Sequence, residues 1–290
     1  MRGILRDEMG FDGVLISDWA AIEETIYHGY CADKEDAAIR AVEAGVDIDM
    51  MTGIYCDNLC RLVREGKIPE SLVDECCMRI LELKNKLGLF ENPYKDADEE
   101  KEQQLILCKE HRELAREAAR KSFVLLKNEE QILPLDKTKK TAFIGPYVNS
   151  RNLMGSWSII GEAKDITTVE EIMAVEEAGN NVVCCQGSPM LGAEVILEGF
   201  TEENQATYTP EEEANMLEEA LEAAKKADQV VLFIGEDRLQ SGEATSNATI
   251  QIPQIQQNLL ERVAEINENI AVVLFSGRPL DLRDVQVKAK

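Results

Sequence analysis

QVVLFIGE, residues 229–236, is a short aliphatic run closed by Gly-Glu, and it reads as a buried β-strand. TAFIGP (141–146), NVVCCQG (181–187) and IAVVLFSG (270–277) read the same way. Between these runs lie two helical patterns, PEEEANMLEEALEAAKKA (210–227) and PQIQQNLLERVAEI (253–266). Strands that are apolar throughout need cover on both faces, and parallel neighbours need crossovers long enough to hold a helix. This half of the chain is therefore expected to be α/β, with a mostly parallel sheet between helices. AREAARKSFVLLKNE (115–129) is expected as a helix leading into it.

The first ninety residues alternate in a similar way. GVLISD (13–18) and VDIDMM (46–51) read as strands, and KEDAAIRAVEAGV (34–46) between them reads as a helix closed by Gly45. That is a βαβ unit, whose crossover is right-handed. CDNLCRLVREGKI (56–68) and SLVDECCMRILELKNKLGLF (71–90) follow as amphipathic helices, the second with Ser71 as cap and Asp74 at capping-box spacing. Residues 91–113 are polar and charge-dense and begin with an Asn-Pro turn. The expected division is 1–92, a linker at 93–114, and a second domain at 115–290.

Composition excludes some classes of function. Lys and Arg number 31 against 55 Asp and Glu, a net charge of −24, which repels the phosphate backbone a nucleic-acid binder must neutralise. No run approaches the roughly 18 apolar residues of a membrane span, so no membrane partner is expected. The N-terminus MRGILRDEMGFDG lacks the apolar core of a secretory signal, and the chain as written is expected in the cytoplasm. Its eight cysteines form no CxxC pair and are expected as reduced thiols. Cys56 and Cys60 have helical spacing, but His28 and His111 are the only histidines and no zinc-ligand set surrounds the pair. From Leu191 to Asp228, eleven acids face two lysines without calcium-loop spacing, and this stretch reads as a solvated face.

Two carboxylates stand where α/β folds keep reactive groups. Asp18 ends the GVLISD strand and Trp19 follows it, a pairing that suits a sugar's hydroxyls and apolar ring face. From position alone, a helix-capping Asp serves equally well. Glu243 lies in GEDRLQSGEATSNATIQIP, the loop leaving QVVLFIGE, where Glu236 and Asp237 compete with it. One carboxylate at the anomeric carbon and another at the departing oxygen is what glycoside hydrolysis requires. GPYVNSRNLMGSW (145–157) has neither a G-x-G-x-x-G pattern nor a P-loop lysine, and SGRP (276–279) reads as structural. Cys184 and Cys185 lack a nearby histidine, and Ser17 and Ser156 lack an assigned base.

Taken together, LRDEMGFDGVLISDWAAI (5–22), GVDIDM (45–50), GKIPESLVDECCMRILELKNKLGLFENPY (66–94), AREAARKSFVLLKNEEQILPL (115–135), FIGPYVNSRNLMGSWS (143–158), GEDRLQSGEATSNATIQIPQIQQNLL (235–260) and SGRPLDL (276–282) resemble the family 3 glycoside hydrolases of β-glucosidase type. The resemblance implies the last two strands and helices of a (β/α)8 barrel, followed by an incomplete α/β sandwich domain. It places Asp18 at the nucleophile position, Glu243 at the general acid/base position and Trp19 against the substrate, and it implies no metal or organic cofactor. The implied reaction is retaining, exo-acting hydrolysis of a β-glucoside or oligosaccharide ending in β-linked glucose or xylose.

The sequence departs from the family pattern in two ways. Asn247 stands where the family's loop commonly has arginine. The six earlier barrel strands, whose loops grip the terminal sugar in the family, have no counterpart here, so the chain alone is expected to turn over negligibly. The competing expectation is a non-catalytic carbohydrate-binding or interaction module of the same fold. Apolar barrel edges would also favour a homo-oligomer.

Overall fold

The computed structural model describes residues 1–155, 157–158, 161–175, 181–192, 208–243 and 245–290. These form two compact units, Met1–Lys121 and Ser122–Lys290.

In the first unit, the residues expected as two strands meet at a single parallel bridge, Ile16 with Ile48. The Ser17 amide donates to the Ile48 carbonyl at 2.9 Å, and the Asp47 amide donates to the Leu15 carbonyl at 2.8 Å. Two parallel segments with no third beside them among the described residues gain little from a longer ladder. The helices carry the packing instead. These are α1 (Ala21–Tyr27), α2 (Lys34–Glu43), α3 (Ile54–Arg64) and α4 (Glu70–Lys86). Ile22, Ala38, Val42, Ile54, Leu62, Ile68 and Cys76 form their shared core. Asp33 caps α2 by accepting the Asp36 amide at 2.9 Å. Ser71 does not cap α4: the helix starts one residue earlier, behind the extended Pro69, so Ser71 already lies in its first turn. The stretch at 93–114 holds α5 (Glu99–Leu105) and the start of α6 (Lys109–Ser122).

Beneath the bridge lies a buried ion cluster. The Asp47 side chain is fully enclosed, accepting Arg6 Nη2 at 2.8 Å, Arg79 Nε at 2.9 Å and the Leu15 amide at 2.8 Å. Burial alone would push the Asp47 carboxyl up, but the Arg79 guanidinium and the Leu15 amide outweigh it and hold it below the usual carboxylate range.

The second unit begins differently from its expectation, because α6 stops at Ser122 and Phe123–Leu126 are exposed and non-helical. Four consecutive apolar residues give a helix no polar face. Lys127 then fastens the segment, donating from Nζ to the carbonyls of Gln286 (2.5 Å) and Ala289 (2.8 Å).

All four expected strands form: β1 (Thr141–Ile144), β2 (Val182–Cys185), β3 (Gln229–Gly235) and β4 (Ile270–Phe275). They make one parallel sheet in the order β2-β1-β3-β4, with Ile144 opposite both Cys185 and Leu232. Strand periodicity of two divides the core between the faces. Ile144, Val230, Leu232, Ile234 and Ile270 pack on α8 (Pro210–Lys226) and α9 (Gln254–Ala264), while Phe143, Val231 and Ala271 pack on Leu133, Val169 and Met173. Val169 and Met173 belong to α7 (Val169–Val175). Thr209 and Glu212 close a capping box on α8, with Glu211–Glu213 at its positive end and Lys225 and Lys226 at its negative end. Residues 193–207 of the acidic stretch lie outside the described residues. A short α10 (Arg283–Lys288) follows β4.

Candidate active site

Asp18 stands two residues past the bridging Ile16 and is anchored on both sides. Ser17 Oγ accepts the Met50 amide at 2.9 Å and donates to the Asp18 carbonyl at 2.9 Å, and the Ala20 amide donates to the Met50 carbonyl at 3.3 Å. The Ala21 amide turns back onto the Asp18 carbonyl at 3.2 Å, and Ala20 adopts a left-handed conformation (φ 55°) to close the turn. Asp18 Oδ1 accepts the Trp19 amide at 2.7 Å. The N-cap of α1 is Ala20, not Asp18, so the carboxylate is not used to end a helix. Asp18 and Trp19 are both exposed, Trp19 to 64%. An exposed carboxylate on a rigid turn beside an exposed aromatic can meet a reacting carbon while the ring faces the rest of the molecule.

Glu243 lies in the second unit. The chain visits β2 on one side of β1 and then crosses to β3 on the other, so the loops after β1 and β3 leave the sheet at its topological switch point, where open α/β sheets hold ligands. The loop after β3 carries three acids with different surroundings. Glu236 is buried and grips Arg278, from Nε to Oε1 at 3.0 Å and from Nη2 to Oε1 at 2.6 Å. Asp237 accepts Asn152 Nδ2 at 2.9 Å and the Leu239 amide at 2.9 Å. Glu243 is exposed. Of the three competitors, the first two are committed to holding the protein together.

Residues not singled out in the sequence support this rim. Gln256 is fully buried on α9 and clasps the Gly235 backbone, accepting its amide at 2.8 Å and donating to its carbonyl at 2.9 Å. A Cβ on Gly235 would stand 1.9 Å from the Phe275 carbonyl oxygen, so only glycine fits where β3 hands over to the loop. Tyr147 stacks on Phe275 at 4.1 Å and donates its hydroxyl to the Glu236 carbonyl. Arg278 belongs to SGRP, and its position after a strand end was the available signal.

The other nucleophiles are poorly placed. Burial pushes the Cys184 thiol up to about 11 and that of Cys185 up to about 12, which keeps both protonated near neutrality. The Ser17 hydroxyl is engaged with backbone, and Ser156 lies outside the described residues. Cys31, Cys76 and Cys185 are buried, whereas Cys56, Cys60 and Cys77 are exposed, and all are free thiols. Among the described residues, no group of three or more His, Cys, Asp or Glu side chains is placed to hold a metal ion. No described helix is long and apolar enough to cross a membrane.

Residues 1–83 match the N-terminal domain of glycosyl hydrolase family 3, and residues 123–290 match that family's C-terminal domain. The chain belongs to glycosyl hydrolase family 3. It is 36% identical over 288 residues to a periplasmic β-glucosidase of Salmonella typhimurium, covering 97% of this chain and 38% of that protein. A β-xylosidase of Formosa agariphila is 31% identical, with the same shares covered. The crystal structure of a β-glucosidase from Listeria innocua in complex with isofagomine superposes with a TM-score of 0.85 at 37% identity, covering 99% of this chain and 37% of that one. The chain thus spans less than two-fifths of the length of these family 3 relatives, in an α/β fold with a parallel sheet that matches theirs.

Proposed function

We propose that this chain carries the two catalytic carboxylates of a retaining, exo-acting β-glycosidase that removes terminal β-linked glucose or xylose. In this reading Asp18 attacks the anomeric carbon and forms a glycosyl-enzyme, while Glu243 protonates the departing oxygen. Glu243 then takes a proton from water, and the water displaces Asp18 with net retention. Trp19 gives the sugar an apolar face to lie on. The observation that carries the reading is the anchored turn at Asp18, whose exposed carboxylate is not used as a helix cap. Names of family 3 relatives supply the substrate class.

Retention requires the two carboxyls roughly 5 to 5.5 Å apart in the working enzyme. Much of catalysis also comes from binding the non-reacting hydroxyls of the sugar. The chain spans 37% of the Listeria enzyme, and the 290 residues alone are expected to show negligible turnover.

The test is a hybrid in which this chain replaces the matching part of the Listeria β-glucosidase. It should hydrolyse an aryl β-glucoside with retention. Asp18→Asn should abolish the activity, and Glu243→Ala should regain turnover with azide, releasing the β-glucosyl azide. Hydrolysis that survives Asp18→Asn would sink the proposal. Tight binding of cellobiose by the 290-residue chain, unchanged in Asp18→Asn and Glu243→Gln, would favour a non-catalytic binding module instead.

A further inference from the structure

The Glu243 loop is long and its acid is exposed, yet its two ends converge on one side chain. Glu236 begins the loop, and its carboxylate, 1% exposed, is held by the fork of Arg278 from the turn after β4. The same Arg278 Nη2 donates to the Thr249 carbonyl at 2.8 Å, where the loop ends. Just beyond, the Asp281 amide donates to the Ile250 carbonyl at 2.7 Å, and Gln251 bridges Asp281. Between these ends, Ser241 lies against Gly277, so closely that a Cβ there would stand 2.8 Å from Ser241 Oγ and 3.1 Å from Ser241 Cβ. The turn Ser276–Arg278 is therefore a seat for the loop as well as a fastener of its ends.

We propose that Arg278, through its fork on Glu236 and its bond to Thr249, is the positioning residue that sets where the loop presents Glu243. A loop fixed at both ends and seated in the middle has fewer arrangements to lose when the acid must meet a leaving oxygen. The guanidinium is needed because one planar fork spans a carboxylate and a carbonyl together, whereas an ammonium is a point charge. The inference rests on the reading of Glu243 as general acid/base, and the test separates the two.

In the 290-residue chain, amide hydrogen exchange compares the native protein with Arg278→Lys and Arg278→Met. The amides of Leu239, Gln240 and Asp281 should exchange about tenfold faster in both variants, while those of Val231–Phe233 in β3 keep their native rates. Arg278→Lys keeps a positive charge beside buried Glu236, so it tests the fork even if Arg278→Met fails to fold. In the hybrid, kcat/KM is measured for cellobiose, whose leaving group needs a proton, and for 2,4-dinitrophenyl β-glucoside, whose leaving group does not. Glu243→Gln should lower the cellobiose-to-aryl ratio about 100-fold. Arg278→Lys should lower it about tenfold through kcat, with KM little changed. If Glu243→Gln moves the ratio while Arg278→Lys alters neither ratio nor exchange, the positioning role is overturned. If Glu243→Gln leaves the ratio unchanged, the acid/base reading fails, and the positioning role fails with it.

Discussion

In both units the segment that carries an exposed candidate carboxylate is fastened through a buried carboxylate held by arginine, but the device serves different ends. In the first unit, Asp47 joins Arg6, Arg79 and the Leu15 amide beneath a single-bridge strand pair, and Asp18 follows the bridge at once. In the second, a four-stranded ladder already exists, and Glu236 with Arg278 holds the ends of the loop that carries Glu243. Where regular pairing is scarce, the ion pair supports the fold. Where pairing is ample, it orders a loop.

The contrast is sharpest for Asp47→Asn. Removing that charge takes the enclosed carboxylate from two half-buried guanidiniums, of which Arg79 keeps only Glu75 at 3.6 Å among the described residues, and urea unfolding should show the first unit destabilised by about 3 kcal/mol. An equal effect on the second unit would break the comparison. Acid should follow the same division. A carboxyl held low in the folded state adds stability above its unfolded value of about 3.9 and loses it as pH falls through the lower native value. Circular dichroism between pH 5 and pH 2 should therefore show an acid transition that Asp47→Asn weakens.

A smaller effect is expected at Ser17. Ser17→Ala removes the hydroxyl that accepts the Met50 amide, a loss of about 1 kcal/mol, and should loosen the Asp18 turn without altering the Glu243 loop. Amide exchange at Met50 would report it. The smallest change concerns the thiols. At pH 7.5 a maleimide should label Cys56, Cys60 and Cys77 promptly, while Cys76 and Cys185, pushed up to about 11 and about 12 by burial, should react only on unfolding.

Much of the second unit was legible because its strands are apolar on both faces, a pattern few other structures produce. Phe123–Leu126 misled for the same reason in reverse: an apolar run after a helical pattern looks like its continuation until the missing polar face is noticed. The strands at 13–18 and 46–51 carried the right residues, but ladder length depends on neighbours that a local pattern does not encode. Asp18 and Glu243 could be proposed from strand-end position and family resemblance. The partners that give them their setting could not, since Arg6 lies 41 residues from Asp47 and Arg278 lies 42 from Glu236. Neighbours in space at that separation leave no periodic trace.

Lys127 reaches the Ala289 carbonyl, and Lys290 pairs with Glu130 at 2.6 Å while its amide donates to the Ile270 carbonyl at 2.9 Å. The segment after α6 and the segment around α10 are thus stitched together at one spot. Force applied to either segment would therefore load the same small set of bonds, and neither should peel from the sheet without the other.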